Sequence, residues 1–291
     1  MAETGGVRLI SVVVPTRDRP EQLGRCLAAL ERQTASDFVE VIVVDDGSAN
    51  RAAVEEVVRD RSQVRLVRQA GAGPAAARNA GVRAARGTYI CFTDDDCEPR
   101  PEWVERLAGS LSGGAAAAAG VTLSGSPQNP LAEASELIAA ALSSPTQNGE
   151  GLAFAPSNNL GCRAELLAAI PFDETFPVAA GEDRDWCARL RAAGHVLVRE
   201  SAAVVVHRQQ LHFDDFWNQQ VRYGRGAFRF RSAIGARSLE PPMFYARLVR
   251  QGFRRGVRTG LLVGLAQVGT ALGFIAEWKT SRAAFTGGRT R

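Results

Sequence analysis

Asp94, Asp95 and Asp96 follow an apolar run with almost no break, so that "TYICFTDDD" reads as a buried strand ending in three like charges. Adjacent carboxylates repel one another, and burying them unpaired costs several kcal/mol or neutralises them. A divalent cation removes that cost, because carboxylates are hard oxygen ligands for Mg2+ or Mn2+. Mg2+ commonly binds through one or two protein carboxylates together with substrate phosphates. The triplet therefore points to a metal–diphosphate centre; the plainer alternative is a solvated acidic turn. Two other apolar runs end in polar residues in the same way. "SVVVPTRDR" delivers Pro15, Thr16 and Arg17, and "VEVIVVDDGS" delivers Asp45 and Asp46.

The elements that must hold these residues are legible around them. "RLISVVVPT", "VEVIVVDD", "VRLVRQ" and "TYICFTDDD" are apolar without strict alternation, as strands covered on both faces require. Between them lie three helical patterns: "RPEQLGRCLAALERQT", residues 51–60, and "GPAAARNAGVRAARG", with proline placed for a first turn in the first and third. This alternation predicts an α/β domain with a mostly parallel central sheet. Ligands of such sheets sit at the carboxyl ends of the strands, where the polar residues fall. No GxGxxG follows the first strand, so the dinucleotide fingerprint is missing. Further along, the patterns predict a helix over 101–111, a strand near 116–123, and a short strand and helix in "NNLGCRAELLAAI". "GEDRDWCARLRAAGH" reads as a helix with Trp186 and Leu190 on one face, and "VLVRESAAVVVH" as one or two strands ending at His207. Residues 130–157 mix Ala-rich helical pieces with the polar turn "SSPTQNGEG".

The chain of 291 residues, 45% hydrophobic and 23% charged, can build one large domain or two small ones. All of its basic residues except Lys279 are arginine, so the overall isoelectric point says little about partners. The basic character is local: residues 222–258 hold ten arginines against one acid, Glu240, while the chain before them is net acidic. The cysteines, at 26, 91, 97, 162 and 187, are odd in number and include no CxxC. That excludes a zinc-ribbon pattern and fits a reduced, cytoplasmic compartment. "MAETGGVRLI" lacks the apolar core and cleavage site of a signal peptide.

Taken together, "SVVVPTRDRPEQLGRCLAALERQT", "VEVIVVDDGS", "AARNAGVRAARGTYICFTDDDCEP" and "GEDRDWCARL" resemble the family 2 glycosyltransferases, an inverting family with a GT-A fold. The pieces lie in the family's order and cover roughly residues 8–207. The resemblance implies a catalytic domain over 1–207, with a nucleotide-binding half at 1–100 and an acceptor-side half at 101–207. It implies a nucleotide diphosphate sugar donor, Mn2+ or Mg2+ as cofactor, and transfer of a single sugar with inversion. Carried over by residue, Pro15, Thr16 and Arg17 would border the nucleobase and ribose. Asp46 would hydrogen-bond the base, with uracil and hence a UDP-sugar the first expectation, while Asp45 would support the loop. Arg78 and Asn79 would lie near the nucleotide. Asp96 would be the direct metal ligand, Asp94 or Asp95 would meet ribose or a metal-bound water, Asp94 is a further ligand candidate, and His207 another. An inverting displacement needs a carboxylate to take the acceptor's proton. The family's acidic pair points to Asp183, with Glu182 second; the bland alternative for Asp183 is a helix cap.

Residues 208–291 differ in kind: an arginine- and aromatic-rich helical extension leads into "GLLVGLAQVGTALGFIA", residues 260–276, without a charge. That length lies at the lower end of the membrane-spanning range. Cationic residues beside an apolar helix fit the cytoplasmic side of a membrane, with surface contact through 208–276. A buried helix beneath a solvated basic face is the alternative. No nucleic-acid-binding motif accompanies the arginines, so nucleic acid is not expected as a partner. Trp217, Tyr223 and Phe228 are candidates for a sugar platform or for anchors of the extension. The expected acceptor is a lipid-linked or cell-envelope glycan, and the expected location the cytoplasm or the inner face of the plasma membrane. Two other functions compete: a sugar-phosphate nucleotidyltransferase, disfavoured by "PTRDRP" where a Gly-rich phosphate loop would stand, and a non-catalytic membrane-associated nucleotide-binding protein.

Overall fold

The computed structural model describes residues 9–143, 145–146, 149–176, 180–235 and 240–287. The N-terminal residues read above for a signal peptide, parts of the "SSPTQNGEG" turn, and Arg237 of the basic segment lie outside them. Strand β1 (Ile10–Thr16) leads through helix α1 (Pro20–Leu30) to β2 (Val39–Asp45). Then follow α2 (Arg51–Val58), β3 (Val64–Arg68), α3 (Pro74–Ala84) and β4 (Tyr89–Phe92). After the aspartates come β5 (Cys97–Pro99), α4 (Trp103–Ser112), β6 (Ala117–Ser124), α5 (Pro130–Leu142), β7 (Leu160–Arg163), α6 (Ala164–Ala169), α7 (Glu182–Ala192) and β8 (Leu197–His207). Helices α8 (Phe213–Ala233), α9 (Pro242–Arg255) and α10 (Val257–Gly287) complete the order.

All eight strands form one sheet in the order β3-β2-β1-β4-β7-β6-β8-β5. β1 pairs in parallel with β2 and β4, and β2 with β3. β7 runs antiparallel to both β4 and β6, while β6 and β8 are parallel again. Alternate residues of the same strands feed two cores. Val12, Val14, Val41 and Val43 pack with Leu23, Leu27, Trp103 and Leu107 on one face. Val13, Ile42 and Val44 pack with Ala75, Ala77, Trp186 and Leu190 on the other. Burial on both faces is why these strands show no polar alternation in the sequence. Trp186 is wholly buried, stacked on Phe172, with its indole N–H on the Ile170 carbonyl, which places it in the core.

Local chemistry starts and stops the helices. Pro20 and Pro74 open α1 and α3 at positions whose N–H has no helical partner. Asn50 caps α2 through the Ala53 N–H, and Asn129 caps α5 through Leu131 and Ala132. β5 is only three residues long and pairs antiparallel with β8, setting Cys97 opposite His207.

The extension packs on the body rather than trailing from it. A third core joins Ala134 and Leu137 of α5 to Phe216, Leu248, Val263 and Ala266 of α8, α9 and α10. α8 and α10 cross at backbone contact, because a Cβ on Gly273 would stand 1.9 Å from the Val221 carbonyl oxygen, and one on Gly224 1.9 Å from that of Thr270. Phe228 meets Phe274 edge-on at 5.2 Å, and Trp217 lies against Gly269, so both rings anchor α8 to α10.

This crossing separates two glycines that look alike in the sequence. Gly273→Ala forces the helices apart and is expected to cost about 1–3 kcal/mol, the usual range for overpacking. Gly264→Ala meets nothing within 4 Å and is expected to be neutral, or stabilising by about 0.5–1 kcal/mol from helix propensity. Denaturant unfolding midpoints of the two variants check the contrast.

Candidate active site

The carboxyl ends of β1, β2 and β4 converge, and hydrogen bonds tie their loops together. Asp18, in the left-handed region at φ 56°, accepts from the Ala49 N–H at 2.7 Å, while its own N–H donates to Ser48 Oγ at 2.9 Å. Asp45 accepts from the Ser48 N–H at 2.9 Å and so folds the "DDGS" turn on itself. Asp46 reaches across to the loop before α3: its Oδ1 accepts from Gln69 Nε2 at 2.6 Å and the Ala72 N–H at 2.7 Å, and its Oδ2 from the Gly73 N–H at 2.9 Å. Gly73 caps α3, so Asp46 fixes the start of the helix that carries Arg78. Arg17 is largely exposed and its guanidinium lies beside Gly71 of the same loop. Pro15 sits in register with Val44 at the end of β1.

The three aspartates have different sets of partners, with Arg19 shared by two of them. Asp94, the most open of them, receives Arg78 Nη2 at 3.0 Å. Asp95 is buried; its Oδ2 accepts from Thr16 Oγ1 at 2.7 Å and its Oδ1 from Arg19 Nη1 at 3.3 Å. Asp96 meets the same Arg19 nitrogen at 3.2 Å and, through Oδ1, His207 Nε2 at 3.2 Å. The other imidazole nitrogen of His207, Nδ1, is in close contact with Glu136 Oε1 on α5.

Arg78 spans the site. Its Nη1 donates to Glu182 Oε1 at 3.0 Å while Nη2 holds Asp94, with the whole residue 4% exposed. The next residue, Asn79, is spent otherwise: its amide donates to the Phe172 carbonyl and Glu174 and accepts from the Phe172 N–H, fastening the chain that leads to α7. At the start of α7, Glu182 is buried on Arg78, Asp185 pairs with Arg189 at 2.7 Å, and Asp183, among the described residues, bonds only the adjacent Arg184 N–H, at 2.8 Å. Of the three acids in "GEDRDW", Asp183 is thus the one without a cationic hydrogen-bond partner.

Electrostatics sort the carboxylates further. Burial, with the charge of Asp96, pushes Asp95 up to about 7 against the pull of Arg19 and Thr16. Burial acts the same way on Asp96, but the charge and hydrogen bond of His207, aided by Arg19, hold it at about 2. His207 itself, although burial disfavours its charge, is raised well above an ordinary imidazole by Asp96 and Glu136. Burial and the neighbouring Glu182 lift Asp183 to about 7, with Arg78 opposing.

Asp96, Cys97 and His207 present an oxygen, a sulfur and a nitrogen within 4.8 Å of one another. The Cys97 thiol is pushed well up by burial and by Asp96, so it stays protonated and packs. What remains is a carboxylate and an imidazole whose second nitrogen is held by a carboxylate, with Asp94 outside this group on Arg78. That donor set fits Mn2+ or Mg2+.

The structure therefore gathers Thr16, Arg78, Asp94, Asp95, Asp96, Glu182, Asp183 and His207 into one cluster at the strand ends, with Pro15, Arg17 and Asp46 at the ends of β1 and β2 beside it. Two residues escaped the sequence reading. Arg19 stands in "PTRDR", two positions after Arg17, and its type was the available signal. Glu136 shares its Ala-rich helix with a second acid, Glu133, and nothing in the local sequence sets it apart.

A sheet of this order, with aspartates at its strand ends facing a basic helix, is the GT-A nucleotide-sugar-binding fold. A model of glycosyl transferase family 2 matches residues 11–166, more than half of the chain, and the chain belongs to that family. The pre-mycofactocin glycosyltransferase of Mycobacterium tuberculosis is 32% identical over 228 residues, covering 76% of this chain and 47% of the relative. The validoxylamine A glucosyltransferase of Streptomyces hygroscopicus subsp. limoneus is 36% identical over 143 residues, covering 46% of this chain and 31% of the relative. The chain spans about half the length, or less, of these relatives. Among solved structures, the mannosyltransferase PcManGT from Pyrobaculum calidifontis, in complex with GDP-Man and Mn2+, superposes with a TM-score of 0.59 at 18% identity, covering 96% of this chain and 81% of that one. Its likeness shows the fold. Family membership displaces the nucleotidyltransferase alternative.

The buried Arg78 link carries a stability consequence. Arg78→Met leaves Glu182 buried without its cation, and removing one partner of a buried pair costs about 3–5 kcal/mol. Adding Glu182→Leu to that variant removes the orphaned charge and is expected to restore part of the loss. Denaturant titration of the single and double variants reads both effects.

Proposed function

We propose that the chain transfers a single sugar, with inversion, from a nucleotide diphosphate sugar to an acceptor hydroxyl. The observation that carries this reading is the bridge by Arg78, whose one guanidinium ties Asp94 at the end of β4 to Glu182 at the start of α7. The nucleotide lies against Pro15, Thr16 and Arg17, with its base toward Asp46. Asp46 Oδ2 receives one N–H from the protein, which leaves it an acceptor position for an imide N–H, and this supports a UDP-sugar as donor. Asp96, Asp94 and His207 would hold Mn2+ or Mg2+, which would neutralise charge on the leaving diphosphate. Glu136 fixes His207 with Nε2 toward Asp96. Asp95 shapes the loop from inside through Thr16.

Asp183 is the general base and Glu182 its support. Glu182 is buried and bound to Arg78. Asp183 keeps one carboxylate oxygen without a protein donor and titrates near neutrality, the range in which a carboxylate accepts a proton most effectively. It takes the proton as the acceptor oxygen bonds to the anomeric carbon, and the nucleoside diphosphate leaves from the opposite side. The acceptor is a lipid-linked or cell-envelope glycan, presented at the inner face of the membrane to which residues 208–276 attach.

Screening UDP-, GDP- and dTDP-sugars for transfer and for donor hydrolysis, with and without a chelator, tests the reading. Asp183→Asn is expected to lower kcat about 10²–10⁴-fold, the usual contribution of a general base. Because the base must be unprotonated, the wild-type rate is expected to fall as pH drops through about 7. A pH–rate profile flat through neutrality would count against Asp183. Failure to bind any nucleotide in calorimetry with Mn2+ present would return the chain to the non-catalytic alternative.

The Glu136–His207 contact has its own readout. Glu136→Ala is expected to weaken Mn2+ binding about 10–100-fold, the usual effect of removing a partner of a ligating histidine. Mn2+ titration followed by electron paramagnetic resonance measures this without turnover.

A further inference from the structure

α10 has two faces of different character. Its inner face buries Gly260, Val263, Ala266, Gly269, Gly273 and Glu277 against the rest of the protein. Its outer face exposes Leu261, Val268, Leu272 and Ile275 at 45–62% and ends at Trp278, 40% exposed. The spacing puts these side chains on one helical stripe. From Leu261 to Trp278 the stripe runs about 25 Å at the helical rise. Phe253 of α9 extends it: the ring covers Gly260 and remains 47% exposed. Singly scattered apolar residues need no explanation on a protein surface, whereas a contiguous patch marks a contact.

The charge around the stripe is one-sided. Five arginines between 247 and 258 lead into it, and Lys279 and Arg282 close it. The sole acid between 242 and 282, Glu277, is buried and paired with Arg229 at 2.7 Å. Arg254 and Arg255 also line a cavity of about 440 Å³ between α5 and α9, together with Leu137, Ala140 and Ala141.

We propose that α9 and α10 form a monotopic docking face. α10 lies in the plane of an anionic lipid surface, with Leu261, Val268, Leu272 and Ile275 immersed and the flanking arginines on headgroup phosphates. This rests on the membrane attachment proposed above and specifies its mode. By length and composition α10 is the one helix among the described residues fit to cross a bilayer, with an 18-residue window of mean hydropathy 1.7 inside Val257–Arg282. Two observations favour lying over crossing. The inner face is engaged at backbone contact with α8 through Gly273. Crossing would also carry Glu277 away from Arg229, an ion pair that hydrocarbon cannot replace. Charge decides between lipid and a second copy of the chain. Two copies meeting through this face would set cations against cations, whereas anionic headgroups complement them.

Flotation of the full chain with vesicles tests the proposal. Binding to phosphatidylcholine/phosphatidylglycerol vesicles, absence of binding to phosphatidylcholine alone, and release by alkaline carbonate are expected. Leu261→Glu with Ile275→Glu is expected to cut the bound fraction about tenfold, with melting temperature and donor hydrolysis in solution unchanged. Arg247→Ala with Arg250→Ala is expected to weaken the preference for anionic vesicles. Binding that resists carbonate and yields only to detergent would overturn the proposal in favour of a spanning helix. Undiminished flotation of the glutamate variant would overturn it too, as would a dimer in light scattering that this variant splits while no vesicles are bound. Flotation as expected without any donor hydrolysis would sink the transferase reading and leave the docking face standing.

Discussion

The guanidinium of Arg78 is the contact on which the site's geometry depends. It is nearly closed to solvent and holds carboxylates from two distant parts of the chain, Asp94 after β4 and Glu182 at the start of α7. Removing the guanidinium would leave Glu182 buried without its cation, and a buried guanidinium would be no more stable alone. The position of Arg78 is set in turn by Asp46, whose carboxylate gathers the N–H groups of Ala72 and Gly73 at the head of α3. One residue on, Asn79 fastens the Phe172–Glu174 segment. A single helix end therefore registers the "DDGS" turn, the aspartate run and the "GED" turn against one another. The planar, two-pronged geometry of arginine suits this bridging task in a way a lysine ammonium does not.

The aspartate run shows how neighbours with identical side chains are made unequal. Asp94, the most open of the three, faces a buried cation. Asp95 turns inward to Thr16 and is driven toward its neutral form by burial. Asp96 turns to His207, which keeps it charged at all physiological pH values. Mutual repulsion is thus relieved by turning the three side chains to three elements: α3, the end of β1, and β8. The short pairing of β5 with β8 makes the third partner possible, since it sets Cys97 across from His207 and so brings Asp96 within reach of the ring.

Much of this arrangement was legible in the sequence, for physical reasons. Strands buried on both faces must be continuously apolar, so β1, β2 and β4 announced themselves, and the polar residues at their ends marked the ligand side. The acids of "GEDRDW" were visible as a cluster, but their division of labour was not. It depends on Arg78 and Arg189 choosing Glu182 and Asp185 and leaving Asp183, a choice made by tertiary contacts. β5 was missed because three residues carry no periodicity. Arg19 lay inside a segment already singled out, yet its reach to Asp95 and Asp96 depends on the left-handed turn at Asp18 that precedes it. Glu136 had no local signal at all, because its meaning comes from His207, 71 positions away.

The glycines of residues 260–276 were compatible with a membrane or with a protein core, and the packing uses them for the latter on one side only. Gly273 admits the backbone of α8 at Val221, and one helical turn further along α8, Gly226 admits Ala180 just before the acids of α7. Arg184, between the rings of Phe154 and Phe230 and close to Glu240, closes the same junction. α8 therefore touches both the helix that carries the exposed apolar stripe and the turn that carries Asp183, within a few residues of its own length. Residues 208–287 are then less an appendage than a rigid spacer. With α10 seated on a lipid surface, the height of Asp183 above that surface is set by close-packed backbone and not by a flexible linker. An acceptor anchored in the same surface would have to extend its hydroxyl to that fixed height, so the extension would select acceptors by reach as well as by chemistry.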